Sequence, residues 1–534
     1  MRAITICCLL GVLCSSLLSG QETFNRRYHF DFPATVFTGL EVTDSFFLAT
    51  GIITDSVFPY LTSNIFVKMD HAGELIQLNT IRSSTKEYGT WANFLEKTLD
   101  QHFLACGYSF DSLLRILLIK YNKNGETQWI REYENFGDQN AFVRGDAIMV
   151  DTDNSILIGS AEAENVSSIG RDIVVTKLTN SGDIIWRHRY PLESSDWDYT
   201  VHSLAKLTSG EYVIGCEKSN HPLVDEDFKG QCYILGLDSL GTLLWQYYSP
   251  VWLPDWRLVD GANAMVATAD GGLVVASGRG EEVYVNPNSG SIYWKSAYVF
   301  KLDSGRNKEW EIELTEPGYY SSPFNFLSKM IAAEDGSGFL VTGVYTELLS
   351  NNTGDENGWL FKISPEGEKL WSRKLRYLTV GHFNDRHELY DLAETPDGGF
   401  LLAGQVKDDS LYEHYQQAWL IKVDEHGCLV PGCHLVGVEE EPGVAQPEVQ
   451  VMLSPNPARE YVNVFIKDER IAQRRGAQVR VFDSQGRERL RRPAGRLDEV
   501  TNMIPVWDWP GGWYVLVYED AGGVLWEARF VVGE

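Results

Sequence analysis

The sequence of 534 residues predicts an all-β chain, a seven-bladed β-propeller followed by a small C-terminal β-sandwich of the Ig-like kind. Three observations predict it. A unit of four strands recurs along most of the chain. The strands are short, alternating or continuously apolar, and bounded by Gly, Asp or Asn. After Cys433 the composition shifts, and a last stretch carries its own set of strands. The reading divides the chain into residues 1–20 (signal peptide), 21–435 (propeller), 436–450 (linker) and 451–534 (sandwich).

The N-terminus stands apart. Arg2 precedes an apolar run from Ile4 to Leu18, followed by Ser19, Gly20 and Gln21. A short basic start, a brief apolar core and small residues are the pattern of a secretory signal peptide. The run is too short for a membrane span of about 20 residues, and no later stretch is apolar enough to cross. The expectation is therefore an exported chain with no transmembrane segment once mature. The formal net charge of −28 disfavours nucleic acid, whose phosphates are held by clustered Lys and Arg.

Each repeat has the same parts. A moderately apolar first strand leads through an Asp/Gly turn to a strongly apolar second strand. A longer loop leads to a third strand ending in Lys-apolar-Asp, and a Gly turn leads to a fourth strand with Trp. Asp270-Gly271-Gly272 with Tyr298 to Gly305, and Asp397-Gly398-Gly399 with Trp419 to Gly427, are examples. Lys68, Lys120, Lys177, Lys301, Lys362 and Lys422 mark the third strands, with Gly236 in that place in one unit. Trp129, Trp186, Trp245, Trp310 and Trp371 mark the fourth, with Leu78 standing in for the first unit. Seven units fit between Gly39 and Cys433, with a period of roughly 50 to 65 residues. A four-stranded sheet with two apolar faces needs neighbours on both, and a closed ring supplies them. The tryptophans are expected to bury large area between blades. The lysines are expected to pack their stems and hold their heads in solvent.

The seventh unit turns into CLVPGCH where a fourth strand is due. Phe24 to Phe30, FNRRYHF, is patterned like Trp186 to Tyr190, WRHRY, and is expected to supply the missing outer strand and remove an open edge. Among the cysteines, Cys428 and Cys433 enclose a tight turn that brings the sulfurs together. Cys216 ends one strand and Cys232 begins the next, so a disulfide between them is also expected. Cys106 is then the odd thiol. No spacing suits zinc.

The repeat resembles a family of secreted bacterial propeller repeats of the DGG…WLIKLD…G…W type, over nearly all of Gly39 to Cys433. That likeness implies a fold and no activity.

The tail opens with the turn Ser454-Pro455-Asn456-Pro457 and a strand from Tyr461 to Ile466. Val479 to Phe482, Trp513 to Tyr518 and Leu525 to Val532 are further strands, at the spacing of a small sandwich. SPNPA, VRVFDSQGRE and GGWYVLVYED, in that order before a final apolar strand, resemble the C-terminal sorting domain of type IX (Por) secretion substrates. The matching residues are Pro455, Asn456, Pro457, Gly486, Gly512 and Tyr514. The resemblance implies passage through the periplasm of a Gram-negative bacterium and across its outer membrane. It also implies the secretion machinery and its sortase as partners, and a secreted or cell-surface destination. The GCLVPGC stretch resembles the join seen in many such proteins.

No catalytic signature stands in the sequence: no GxSxG, HExxH, P-loop or GxGxxG after a strand. Asp151-Thr152-Asp153-Asn154 opens like a calcium loop but lacks its glycine and distal Glu, and it aligns with the Asp/Gly turns of other units. The reading includes no cofactor and no metal. The long second-to-third loops and blade crossings gather on one face of the ring, and binding favours loops on a rigid scaffold. The crossings carry Tyr88 and Trp91; Asp196, Trp197, Asp198 and Tyr199; Trp252 and Trp256; Tyr319 and Tyr320; and His382, Asp385 and His387. Aromatics among polar groups suit sugars or peptides. The leading reading is an exported binding protein for a glycan, peptide or protein, with binding favoured over catalysis. The alternative is a secreted hydrolase or lyase acting on polysaccharide or peptide, using two carboxylates, or His382 or His387 with Asp385, near the ring axis.

Overall fold

The computed structural model describes the chain from Glu22 to Gly533 apart from residues 57, 167, 169, 192–196, 221–229, 250–257, 260, 287–289, 315–324, 349–353, 379–384, 412–414, 431–432, 434–448, 455–457, 469–476, 484–485, 494–502 and 521–522. The chain divides into two compact units, Met1–Gly437 and Val438–Glu534. Among the described residues there is no α-helix.

The larger unit is a β-propeller. Its first sheet group runs Ala34–Val42, Phe47–Thr54, Thr62–Met69 and Leu75–Ile81, each strand antiparallel to the next. Meanders of the same kind follow over 87–133, 143–190, 197–248, 258–313 and 326–375. The first strands, Ala34–Val42, Glu87–Lys97, Val143–Val150, Trp197–Lys206, Ala264–Ala267, Phe326–Ala332 and Arg386–Glu394, touch one another in that order, and the last touches the first. These strands therefore surround the axis. The apolar second and third strands stack between groups, and their side chains make up the core, as with Leu118, Val175, Ile214 and Leu235.

The last group closes with chain from the other end. Phe24–Tyr28 pairs antiparallel with Gln416–Val423, setting Phe24 against Lys422 and Tyr28 against Ala418. In the third group Trp186 lies against Lys177 and Tyr190 against Ile173, the same register. The Tyr28 hydroxyl donates to the carbonyl of Gly73 at 2.7 Å, as the Tyr133 hydroxyl does to Gly182 at 2.7 Å.

The marker residues do different work from that expected of them. Four of the lysines, Lys120, Lys177, Lys301 and Lys422, are buried rather than solvent-facing. Lys120 reaches Asp100 at 3.1 Å and Lys301 reaches Asp270 at 2.6 Å, while Lys422 pairs with Asp397. Each of these partners is the Asp of the first-to-second turn in the same unit, so in those units the two motifs are halves of one ion pair, while Lys68 lies 3.8 Å from the Phe46 ring centre. The tryptophans are half-buried rather than enclosed. Trp186, Trp245, Trp310 and Trp371 each lie against the third-to-fourth turn of the next unit. The Trp310 indole N–H donates to the Pro365 carbonyl at 3.0 Å, and a Cβ on Gly367 would lie 2.6 Å from the Trp310 ring. Gly367 has φ +89°, so glycine is required there twice over. Where Gly236 replaces the lysine, the Trp245 ring lies flat on it, 2.0 Å from any Cβ. In the first group Gln77, not Leu78, faces Lys68 and holds the tryptophan's place.

Cys428 and Cys433 form a disulfide, with Cα atoms 5.6 Å apart. The Cys216–Cys232 bridge does not exist. Cys232 lies against Glu217 and Cys216 against Tyr233, a one-residue offset that sends the sulfurs to opposite faces of the sheet. Cys216 packs with Tyr199 and Ile214, and Cys232 with Val213 and Ile234.

The smaller unit has two antiparallel sheets. Val449–Ser454, Tyr461–Asp468 and Met503–Pro505 form one, and Glu488–Pro493, Gln478–Asp483, Gly512–Asp520 and Gly523–Val532 the other. Val462, Val464, Val481, Ile504, Leu516 and Phe530 share one core. Tyr514 is a core residue, its ring against Phe530 and its hydroxyl on the Pro510 carbonyl at 2.7 Å. Gly486 closes a turn at φ +74°, and Gly512 opens a strand at φ +148°. Pro455, Asn456 and Pro457 lie outside the described residues.

Candidate functional site

Two regions of the propeller gather polar side chains on rigid strands. The first is the long-loop face of the third and fourth groups. Trp197 opens the first strand of the fourth group, and the Lys218 ammonium lies 4.7 Å from its ring centre and 5.1 Å from that of Tyr248. Tyr248 stacks on Tyr233 at 4.6 Å, which meets Tyr199 at 5.3 Å. Asp198 accepts from the Arg171 backbone N–H at 2.9 Å and from its Nε at 2.8 Å. The Arg171 guanidinium lies 5.2 Å over Phe142. Cations, carboxylates and aromatic faces are thus fixed in place before any ligand arrives.

Other candidates are placed differently. Trp91 lies in the strand Glu87–Lys97, on the segment that bulges between Thr90 and Leu95. Tyr88, in the same strand, is half-buried. Asp196, Trp252, Trp256, Tyr319, Tyr320 and His382 lie outside the described residues. Asp385 is buried and accepts from the Asp409 backbone N–H at 2.8 Å. His387 is buried completely. Its Nε2 accepts from the Leu378 N–H at 3.1 Å and its Nδ1 faces the Glu356 carbonyl at 3.0 Å. Burial depresses its pKa to about 4, so the imidazole is neutral with its proton on Nδ1. Both ring nitrogens are taken by backbone, which removes His387 as an acid–base partner of Asp385. Asp151, in the calcium-like turn, serves Lys206 and the Tyr212 hydroxyl, and among the described residues no group of acidic, His or Cys side chains is arranged for a metal.

The second region lies on the axis and was not among the sequence candidates. The inner strands are bulged at one level, between Phe37 and Gly39, Gly145 and Ala147, Val201 and Ser203, Leu327 and Lys329, and Leu389 and Asp391. A bulge re-aims the residues beyond it. Past it the third, fourth and fifth groups carry Ala147 and Met149, Ser203 and Ala205, and Ala264 and Val266, with Asp146 and His202 in the bulges of the third and fourth. The sixth, seventh, first and second, consecutive around the ring, present Lys329, Asp391, Glu41 and Glu96 instead.

Lys329 Nζ lies 3.5 Å from Asp391, whose other oxygen accepts from the Leu40 N–H at 2.8 Å. Burial pulls the lysine down, but Asp391, Glu96 and Glu41 outweigh it and hold the ammonium above its usual range. Burial, reinforced by Glu96 and Asp391, pushes Glu41 up to about 8. Burial also pushes Glu96 up to about 7, against the pull of Lys329. Both glutamates keep some exposed surface while enclosed on most sides. Carboxyls poised near neutrality in a cleft mark functional candidates. The adjoining cavity, lined by Glu96, His202, Ser203, Asn263 and Lys329 among others, measures about 70 Å³. That is well below the roughly 300 Å³ at which small-molecule pockets begin.

No family model matches the sequence, and no curated protein matches it. Solved structures resemble it at a distance. A polysaccharide lyase, an ulvan lyase of family PL25, is 9% identical with a TM-score of 0.47, covering 76% of this chain and 97% of its own. The periplasmic gluconolactonase of Pseudomonas aeruginosa is 10% identical with a TM-score of 0.38, covering 63% and 85%. An α-L-arabinanase of Penicillium chrysogenum is 11% identical with a TM-score of 0.39, covering 64% and 98%.

Proposed function

We propose that the chain is an exported seven-bladed propeller that binds an extracellular glycan, peptide or protein through its long-loop face. The observation that carries this is the fixed array of Trp197, Lys218, Tyr248, Asp198 and Arg171. Its aromatic faces and charges are held by strands, so little ordering cost remains on binding. The cyclic order of the first strands supports the blade number. Residues 1–20 act as a signal peptide, and 451–534 act as an Ig-like β-sandwich that takes the chain through type IX secretion, with its machinery and sortase as partners. The destination is the cell surface or medium of a Gram-negative bacterium.

The test is an array of glycans and peptides probed with the mature chain and with Trp197→Ala. At least one class binds, and the variant weakens it by about tenfold. An array on which the two proteins behave alike overturns the loop-face reading. Removal of 451–534 leaves the protein in the periplasm of a type IX host, and export of the truncated chain would end the sorting role.

A second reading, a hydrolase or lyase, is favoured by one observation, the raised pKa values of Glu41 and Glu96. It predicts turnover that Glu41→Gln and Glu96→Gln abolish while array binding persists.

A further inference from the structure

We propose a second binding site, for a neutral oligosaccharide, in the groove between the outer strands of the second and third blades, with Phe136 as its stacking platform. Phe136 is 46% exposed. It is nevertheless held rigidly. Its backbone N–H donates to Glu162 at 2.7 Å, and the Gly137 N–H donates to Asn135 Oδ1 at 2.7 Å. The Asn135 amide in turn donates to the carbonyls of Phe142 at 2.9 Å and Ala163 at 2.8 Å.

Two guanidiniums support the ring, Arg187 at 5.3 Å and Arg189 at 5.9 Å from its centre. Each is pinned by a buried carboxylate. Arg187 pairs with Glu162 and donates to the Glu134 carbonyl at 2.8 Å, and Arg189 pairs with Asp172 at 3.0 Å. An aromatic face fixed in this way loses almost no freedom on binding.

Phe136 forms one wall of a groove of about 480 Å³, within the range of small-molecule sites. Arg115, Glu132, Glu134 and Arg187 line it with Tyr133 and Ile184. Two cations balance two anions, which favours a ligand without net charge. Arg115 lies 3.9 Å from Glu134, whose side chain is 51% exposed, so that carboxylate keeps acceptor capacity. A flat apolar ring beside both acceptors and donors suits a sugar, whose C–H face stacks while its hydroxyls donate and accept. A peptide would instead be expected to pair with the free side of the edge strand Thr127–Tyr133.

The test is calorimetry of the mature full-length chain with cellohexaose, laminarihexaose, mannohexaose and xylohexaose at concentrations on the order of millimolar. At least one binds. Phe136→Ala weakens it by about tenfold or more, Phe136→Trp retains it, and Trp197→Ala leaves it unchanged. A melting curve for Phe136→Ala matching the parent shows that the fold is intact; if it does not match, loss of binding in Glu134→Gln with retention in Phe136→Trp decides in favour. Absence of binding by all four sugars, or binding that survives Phe136→Ala, overturns the proposal. Binding lost in Trp197→Ala but not in Phe136→Ala also overturns it, while sustaining the loop-face reading.

Discussion

The ring closes through Asn25, and the cost of breaking that closure follows from its contacts. Trp419 is fully buried in the last blade, and its indole N–H donates to Asn25 Oδ1 at 2.7 Å. The Asn25 amide donates to the Arg376 carbonyl at 2.7 Å. Asn25→Ala strands one buried donor and one part-buried acceptor. A stranded buried polar group costs about 1–3 kcal/mol, so the pair costs roughly 2–4 kcal/mol. In a domain this large each kcal/mol lowers the melting temperature by about 2 °C, giving a fall of about 4–8 °C by scanning calorimetry. Asn25→Asp keeps the acceptor for Trp419 and recovers part of the loss. Deleting Phe24–Phe30 removes the whole pairing with Ala418–Lys422 and the Arg27–Asp408 contact at 2.8 Å, and lowers the melting temperature by more than about 10 °C. A deletion protein that melts with the parent would refute the closure, because the edge it exposes would then carry no weight.

Other consequences are equally direct. Glu41 and Glu96 bind their protons more tightly folded than unfolded, so the folded state holds more protons between the usual value of 4.5 and about 8. Stability therefore falls as pH rises through that window, by at most about 1.4 kcal/mol per pH unit for each group, and Glu41→Gln flattens the melting-temperature profile between pH 5 and 8. Asp397 behaves oppositely. Burial pushes it up, but hydrogen bonds from Lys422 and Thr395 outweigh this and lower its pKa, so its contribution is present at neutral pH and lost as pH falls through the folded value. Asp397→Asn costs about 1 kcal/mol in urea unfolding, not the several of a fully enclosed pair, because the carboxylate is 39% exposed. Burial pushes the Cys106 thiol up to about 12 and raises Cys216 well above its usual value. A thiol reagent therefore finds no reactive cysteine in the native mature chain and three in denaturant, where Cys232 also reacts.

The all-β fold and the propeller were legible because every repeat makes the same backbone demands. A left-handed turn needs glycine at Gly241 as at Gly427, and the polar residue after each third strand, Asp in four units and Asn122, Thr179 or Ser364 in the others, caps that turn. Asp238 accepts from the N–H groups of Leu240 at 2.9 Å and Thr242 at 2.8 Å. Requirements repeated in this way appear as motifs. Partnerships between motifs do not, so the pattern alone leaves in solvent the heads of Lys120, Lys301 and Lys422, which turn aspartates take. Register was beyond reach as well, since one residue's offset decides whether Cys216 and Cys232 share a face.

The axial charges were hidden for the opposite reason. Glu41, Glu96, Lys329 and Asp391 each occur once, in separate units, on strands whose bulges break the alternation that parity reading relies on. In a repeat protein the recurring residues are the poorest guide to function, because the ring needs all of them to stand. The informative positions are those where one unit departs from its fellows. On the axis the departure is a run of neighbouring groups that place Lys329, Asp391, Glu41 and Glu96 where other groups place small or apolar side chains, with His202 on the same cavity. On the rim it is Phe136, with two arginines committed to holding it in place. Neither departure repeats what holds the ring together: the axial run raises the pKa of its own carboxyls, and the ring of Phe136 buries little area by remaining half in solvent. Features that cost stability and are nonetheless built rigidly are where ligand contact is to be sought.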